Sequence, residues 1–68
     1  LAVQHFQRAV QIDPTNADAF NNLGTMFARG GQLEKAVEYF REALRLDPNN
    51  REFKRNYQQA EQLLKQPR

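Results

Sequence analysis

Apolar residues recur along the chain at the 3.6-residue spacing that is typical of amphipathic helices. They define four segments, at about 1–12, 17–29, 33–46 and 51–65. Pro14 and Pro48 disfavour helical geometry at the residue before each of them, so the first and third segments should end there. The pattern therefore predicts an all-α fold with four helices.

Short polar or glycine-containing stretches separate these segments. Thr15 or Asn16 can cap the second helix by accepting a backbone N–H bond, and the asparagines at 49–50 open the last helix. Gly30 and Gly31 supply the positive-φ freedom of a tight turn between the second and third helices. We expect these two helices to pack on each other as a hairpin.

The chain repeats itself at an interval of 34 residues. This shift lays Ala2, Val3, Phe6, Ala9, Asp13, Pro14 and Asn16 onto Ala36, Val37, Phe40, Ala43, Asp47, Pro48 and Asn50. Residues 1–14 are therefore interpreted as the second helix of a truncated repeat, 17–48 as a full repeat and 51–65 as a capping helix. The expected architecture is a single domain over 1–68, an α-solenoid fragment made of antiparallel helix pairs.

The helices differ in the face that they offer to a neighbour. Glycine inside a helix costs roughly 1 kcal/mol relative to alanine, so we expect a helix to pass close to Gly24, with Ala36 and Ala43 as the matching small surface. The final helix has polar residues at the equivalent positions, where Lys54, Gln58 and Glu61 replace Phe20, Gly24 and Phe27. A polar outer face keeps a terminal element soluble, so the array is expected to end there.

Composition changes this picture little. The 68 residues form one domain or less, and without cysteine neither a disulfide nor a thiolate metal site can stabilise the small core. The apolar runs are far shorter than the roughly 20 residues of a membrane span, and we expect a cytoplasmic protein without membrane insertion. The net charge of +2 does not favour a nucleic-acid partner. Its basic excess lies at the carboxyl end, in Arg51, Lys54, Arg55, Lys65 and Arg68.

The sequence contains no recognisable set of catalytic or metal-binding residues. His5, the single histidine, aligns with Tyr39 of the next repeat, which favours a packing or surface role. The glycine pair at 30–31 lacks the lysine, the hydroxyl residue and the strand of a phosphate loop. Asp18 and Glu52 align by the repeat offset and suit the first turns of their helices. We expect no enzyme, no cofactor and no metal.

The full repeat closely resembles the tetratricopeptide repeat, a helix–turn–helix of 34 residues. The matching residues are Phe20, Leu23, Gly24, Phe27, Ala36, Phe40 and Pro48. Phe20 stands where the family usually has tryptophan and Phe27 where it has tyrosine, and both substitutions keep the bulk. The flanking segments resemble the second half of a preceding repeat and the carboxyl-terminal solvating helix of the family, so the likeness covers nearly the whole chain.

The resemblance implies a scaffold that holds an extended peptide or a partner helix in a concave groove. The groove would be lined by Asp18, Asn21, Asn22, Thr25, Arg29, Glu52, Arg55, Asn56 and Gln59. Asn22 and Asn56 are equivalent by the repeat offset, and they resemble an asparagine ladder whose amides bond a peptide backbone. The clamp with which other members grip acidic carboxyl termini matches only at Asn22, because Asn21 and Thr25 replace its first lysine and its second asparagine.

A second interpretation assigns a structural or oligomerisation role to the first helix. By analogy with Phe40, Phe6 should pack against a helix that the truncated repeat lacks, and exposing such a side chain forfeits roughly 1.5–3 kcal/mol. The chain would then belong to a longer repeat array or form a homodimer through Ala2, Phe6 and Ala9. The sequence leaves the choice between groove and first helix open.

Overall fold

The structure, a computed structural model, describes residues 7–8 and 15–66. Three long helices follow one another in this part of the chain: α1 (Ala17–Arg29), α2 (Leu33–Leu46) and α3 (Arg51–Lys65). The described residues contain no strand, so the all-α prediction is confirmed there, and the three helices have the predicted bounds. The predicted first helix lies outside the described residues, except that residues 7 and 8 are helical.

Local sequence signals account for the helix ends. The Asn16 side chain accepts a hydrogen bond from the Ala19 N–H at 3.1 Å, and the Asn50 side chain does the same for the Phe53 N–H, also at 3.1 Å. Both bonds satisfy a backbone donor in the first turn that has no partner within its helix. Because α1 and α3 have the same cap 34 residues apart, the two helices begin at equivalent positions of the repeat.

The turn between α1 and α2 needs only one of its two glycines for backbone reasons. Gly31 has a φ of +83°, whereas Gly30 has a φ of −80° that any residue can adopt. The Gly31 N–H donates to the Ala28 carbonyl and the Gln32 N–H to the Phe27 carbonyl, which closes the end of α1. The expectation that both glycines supply positive φ was therefore right only for Gly31.

The three helices share one core. Its buried apolar side chains are Ala19, Leu23, Ala36, Val37, Phe40, Ala43, Phe53 and Ala60. Leu23 on α1 and Phe53 on α3 are the largest fully buried side chains, while Phe40 on α2 belongs to a cluster that includes Ala60 of α3. The core therefore ties α3 to the hairpin of α1 and α2, and it fixes the relative positions of α1 and α3.

Gly24 of α1 lies directly against the Phe40 ring of α2. A Cβ added to Gly24 would lie 2.6 Å from both Cδ1 and Cε1 of the Phe40 ring. The close approach was predicted, with Ala36 and Ala43 as the matching surface, and the three atoms nearest to this Cβ all belong to the Phe40 ring. Gly24 thus makes room for the aromatic side chain at the centre of the core.

The outer face of α3 is polar, in contrast to the face of α1 that meets α2. On the hairpin, Phe27 stacks on Tyr39 with ring centroids 5.3 Å apart. On α3 the corresponding residue is Glu61, which accepts a hydrogen bond from the Tyr57 hydroxyl at 2.9 Å and forms an ion pair with Lys65. None of the described helices combines the length and the apolar character needed to span a membrane.

We predict that Gly24→Ala destabilises the protein. The added methyl group would overlap the buried ring of Phe40, and the overpacking should outweigh the helix propensity of alanine, leaving a net loss of about 1–2 kcal/mol in the free energy of unfolding. Urea denaturation followed by circular dichroism measures it. Gly30→Ala is the matched control, because its Cβ would meet the carbonyl oxygens of Met26 and Phe27 at ordinary contact distances of 3.5 and 3.7 Å. A Gly24→Ala variant as stable as Gly30→Ala would contradict this account of the core.

Candidate functional site

A solvent-open cleft of about 160 Å³ lies between α1 and α3. Its walls and floor are formed by Thr25, Ala28, Arg29, Phe40, Asn56, Gln59, Ala60 and Leu63. The residues from α1 and those from α3 each recur at steps of three and four, so each set occupies one side of its helix. Phe40 reaches the cleft from α2, which makes the core residue beside Gly24 part of the cleft as well.

Four of the nine predicted groove residues meet in this cleft: Thr25, Arg29, Asn56 and Gln59. Arg29 and Gln59 are exposed, whereas Thr25 and Asn56 are half-buried. The structure therefore brings together two predicted side chains from α1 and two from α3, although α2 separates these helices in the sequence.

The other five predicted residues do not line the cleft. Asp18 and Glu52 are exposed in the first turns of α1 and α3, where their charges suit the helix dipoles. Arg55 is exposed and Asn22 is half-buried, each on the same helix as its cleft neighbours. Asn21 is only 8% exposed, so little of it is accessible to a ligand.

Asn21 forms the polar link between the two helices. Its Oδ1 accepts a hydrogen bond from Nδ2 of Asn56 at 2.9 Å, across 35 positions of sequence. An asparagine amide has two N–H donors and an acceptor oxygen, so Asn56 keeps one N–H and its carbonyl oxygen for another partner. The bond therefore holds the Asn56 amide in place at the edge of the cleft without using all of its hydrogen-bonding capacity.

Thr25 is also partly engaged within the protein. Its hydroxyl donates to the Asn21 carbonyl oxygen one turn earlier in α1, at 3.1 Å. The hydroxyl oxygen can still accept a bond from a ligand. Thr25 thus offers the cleft an acceptor and a methyl group, not a free donor.

The chemistry of the cleft is that of a binding surface. Its surface is mostly apolar, and of the described residues that line it only Arg29 is charged. Across residues 7–8 and 15–66, no group of three histidine, cysteine or carboxylate side chains is placed to hold a metal ion. The arrangement can bury an apolar group, and it can offer hydrogen bonds and one positive charge to polar groups next to it.

Leu63 and Ala28 are cleft residues that the sequence analysis did not single out. Leu63 is 49% exposed and is the large apolar side chain most open to solvent among the described residues. Its spacing held a signal, because it follows Asn56 by seven positions and Gln59 by four, which places it on the same side of α3. The residues Ala2, Phe6 and Ala9, predicted for self-association, lie outside the described residues.

A helix hairpin followed by a third helix with the same cap and the same repeat position defines a helical-repeat protein. A family model described as tetratricopeptide repeat matches residues 17–50, and another, described as TPR repeat, matches residues 1–30. The chain belongs to the tetratricopeptide repeat family, whose repeats generally mediate protein–protein interactions. A comparison with curated proteins gave no match.

We predict that Asn56→Ala costs more stability than Asn22→Ala. The two asparagines occupy the same repeat position, but in the described structure only Asn56 hydrogen-bonds another side chain. Removing the Asn56 amide leaves Oδ1 of the buried Asn21 without its donor. The free energy of unfolding should therefore fall by about 1 kcal/mol more than in the Asn22 variant. Thermal and urea unfolding measure the difference. Equal losses would mean that the bond between α1 and α3 contributes nothing net.

Proposed function

We propose that this chain is a protein-interaction scaffold that binds an extended peptide or a partner helix on the surface formed by α1 and α3. The observation that carries the proposal is the convergence of Thr25, Arg29, Asn56 and Gln59 on one cleft. These residues were selected from the sequence through the family's groove positions, and α1 and α3 are the helices at those positions. The proposal assigns no reaction to the cleft.

The size of the cleft supports a macromolecular ligand. Pockets for small molecules and cofactors usually enclose roughly 300–1,000 Å³. The cleft, at about 160 Å³, is smaller than that range and is open to solvent. It suits a single side chain of a longer ligand whose remaining contacts extend along the helices, past Asn22 on α1 and Arg55 on α3.

The free hydrogen-bonding groups support contact with a peptide backbone. Asn56 retains one N–H and its carbonyl oxygen after bonding Asn21, and the exposed Gln59 amide offers both types of group one turn further along α3. Each peptide group has one donor and one acceptor, so an amide side chain can pair with it whatever the sequence. Asn22 would provide the same contact on α1, as in an asparagine ladder.

The polar outer face of α3 supports the proposed division of the chain. Lys54 and Gln58 are exposed at the positions where α1 has Phe20 and Gly24 against α2. We therefore propose 17–48 as the full repeat and 51–65 as the capping helix, preceded by the second helix of a truncated repeat at 1–14. The alternative function, self-association through Ala2, Phe6 and Ala9, stays a proposal from the sequence alone.

We predict that Arg29→Ala combined with Gln59→Ala weakens binding at the α1 and α3 surface. Peptides are first selected against the 68-residue chain from a random-peptide library, and their affinity is measured by fluorescence anisotropy. Loss of two polar contacts should reduce the affinity by about tenfold, at roughly 0.5–1.5 kcal/mol for each contact. Both side chains are exposed, so the fold should be unaffected.

The matched control is Arg41→Ala combined with Gln58→Ala. These are the same residue types, exposed on α2 and α3 but outside the cleft. Binding that persists in the Arg29 and Gln59 variant, or falls equally in both, would refute the proposed surface. Chemical-shift perturbations of backbone amides that avoid α1 and α3 would refute it independently.

A further inference from the structure

Leu63 is only half-covered by the rest of the protein. It is 49% exposed, whereas its neighbour Leu64 packs against the core cluster of Phe40 and Ala60. Leaving a large aliphatic side chain in water forfeits the favourable free energy of its burial. A single exposed leucine needs no explanation by itself, but this one forms part of the wall of a cleft.

The residues around Leu63 leave room for a second aliphatic side chain. Ala28 lines the cleft on α1 and Ala60 lines it on α3, and both have only a methyl group. Phe40 adds an aromatic surface beneath them, and most of the cleft surface is apolar. A volume of about 160 Å³ is enough for one large side chain and too small for a folded element.

The charge of Arg29 favours a particular kind of residue next to the bound aliphatic side chain in the peptide. Arg29 is exposed at the edge of the cleft, none of the described residues that line the cleft is a carboxylate, and the ion pairs of the described residues do not include Arg29. A carboxylate next to the aliphatic side chain in a peptide would therefore meet an opposite charge, and a lysine there would meet a like charge.

We propose that the cleft binds a large aliphatic side chain, such as leucine, isoleucine or methionine, of a peptide that carries an aspartate or glutamate beside it, and that Leu63 and Arg29 are the two residues that select this pair. The inference rests on the proposed function and adds the chemistry of the partner. The hydrogen bonds of Asn56 and Gln59 then hold the peptide backbone irrespective of sequence, while Leu63 and Arg29 supply the specificity.

The test uses a positional-scanning library of peptides with both ends blocked, so that no terminal carboxylate is present. The wild-type chain should prefer leucine over alanine at one position by about tenfold, which corresponds to about 1.4 kcal/mol of aliphatic burial. Leu63→Ser should reduce that preference to about threefold or less, because its wall of the cleft becomes polar. Leu63→Met, which keeps a large apolar side chain, should retain the preference.

The role of charge is tested with Arg29→Glu. The control is Arg41→Glu, which reverses the charge of an exposed arginine outside the cleft. Arg29→Glu should replace the preference for an acidic neighbour with one for a basic neighbour, a change of about two- to fivefold that diminishes in high salt. Arg41→Glu should leave the acidic preference unchanged. Circular dichroism of each variant verifies that the exposed substitutions leave the helices intact.

The outcomes separate this inference from the proposed function. Suppose that peptides change the backbone amide chemical shifts of α1 and α3. If these peptides then show no aliphatic preference, or if the Leu63→Ser variant keeps that preference, the inference is wrong and the proposed binding surface stands. If the aliphatic preference is present but Arg29→Glu leaves the acidic preference unchanged, the role of Arg29 is wrong. If no peptide perturbs α1 or α3, both the proposed function and the inference are wrong.

Discussion

The contact between the Phe40 ring and the backbone of Gly24 is the constraint on which the rest of the structure depends. A side chain on Gly24 would overlap two ring carbons at 2.6 Å, so this depth of approach exists only because the residue has none. The same ring belongs to the cluster that joins α2 to Ala60 of α3, and it also lines the cleft. One aromatic side chain therefore sets both the packing of the hairpin and the floor of the candidate site.

A polar contact complements this apolar one. The bond from Asn56 to Asn21 joins α3 directly to α1 at 2.9 Å, where only 8% of Asn21 is exposed. A buried amide is costly unless it is paired, so this bond favours one placement of α3 over others that would leave Asn21 unsatisfied. Asn56 thus joins the two walls of the cleft, and one N–H and the carbonyl oxygen of its amide are not used in that bond. Asn22, its equivalent one repeat earlier, has no such link in the described structure.

Much of the fold was predictable because its signals are local. The spacing of apolar residues, the caps at Asn16 and Asn50 and the turn at Gly31 define the helix ends within a few positions of sequence. The burial of Asn21 was not predictable in this way, since the repeat offset aligns it with Arg55, which is exposed. What the offset does not contain is the tertiary contact: in the structure the Asn56 side chain of α3 hydrogen-bonds Asn21, which is 8% exposed. Leu63 is a different case, because the sequence held a signal for it: its equivalent by the repeat offset is Arg29, a predicted groove residue, and its spacing places it on the side of α3 that carries Asn56 and Gln59.

The core and the cleft share residues, so binding at the proposed surface would be coupled to folding. Phe40 and Ala60 contact the core on one side and the cleft on the other, and the adjacent leucines of α3 divide between them, with Leu64 towards the core and Leu63 towards the cleft. An aliphatic side chain placed between Ala28 and Leu63 would extend the apolar core outward. A ligand that binds only the folded state stabilises it by mass action, and here the added burial lies against residues that hold α1, α2 and α3 together. Among the described residues, the surface proposed for recognition is therefore an edge of the core that stays open to solvent.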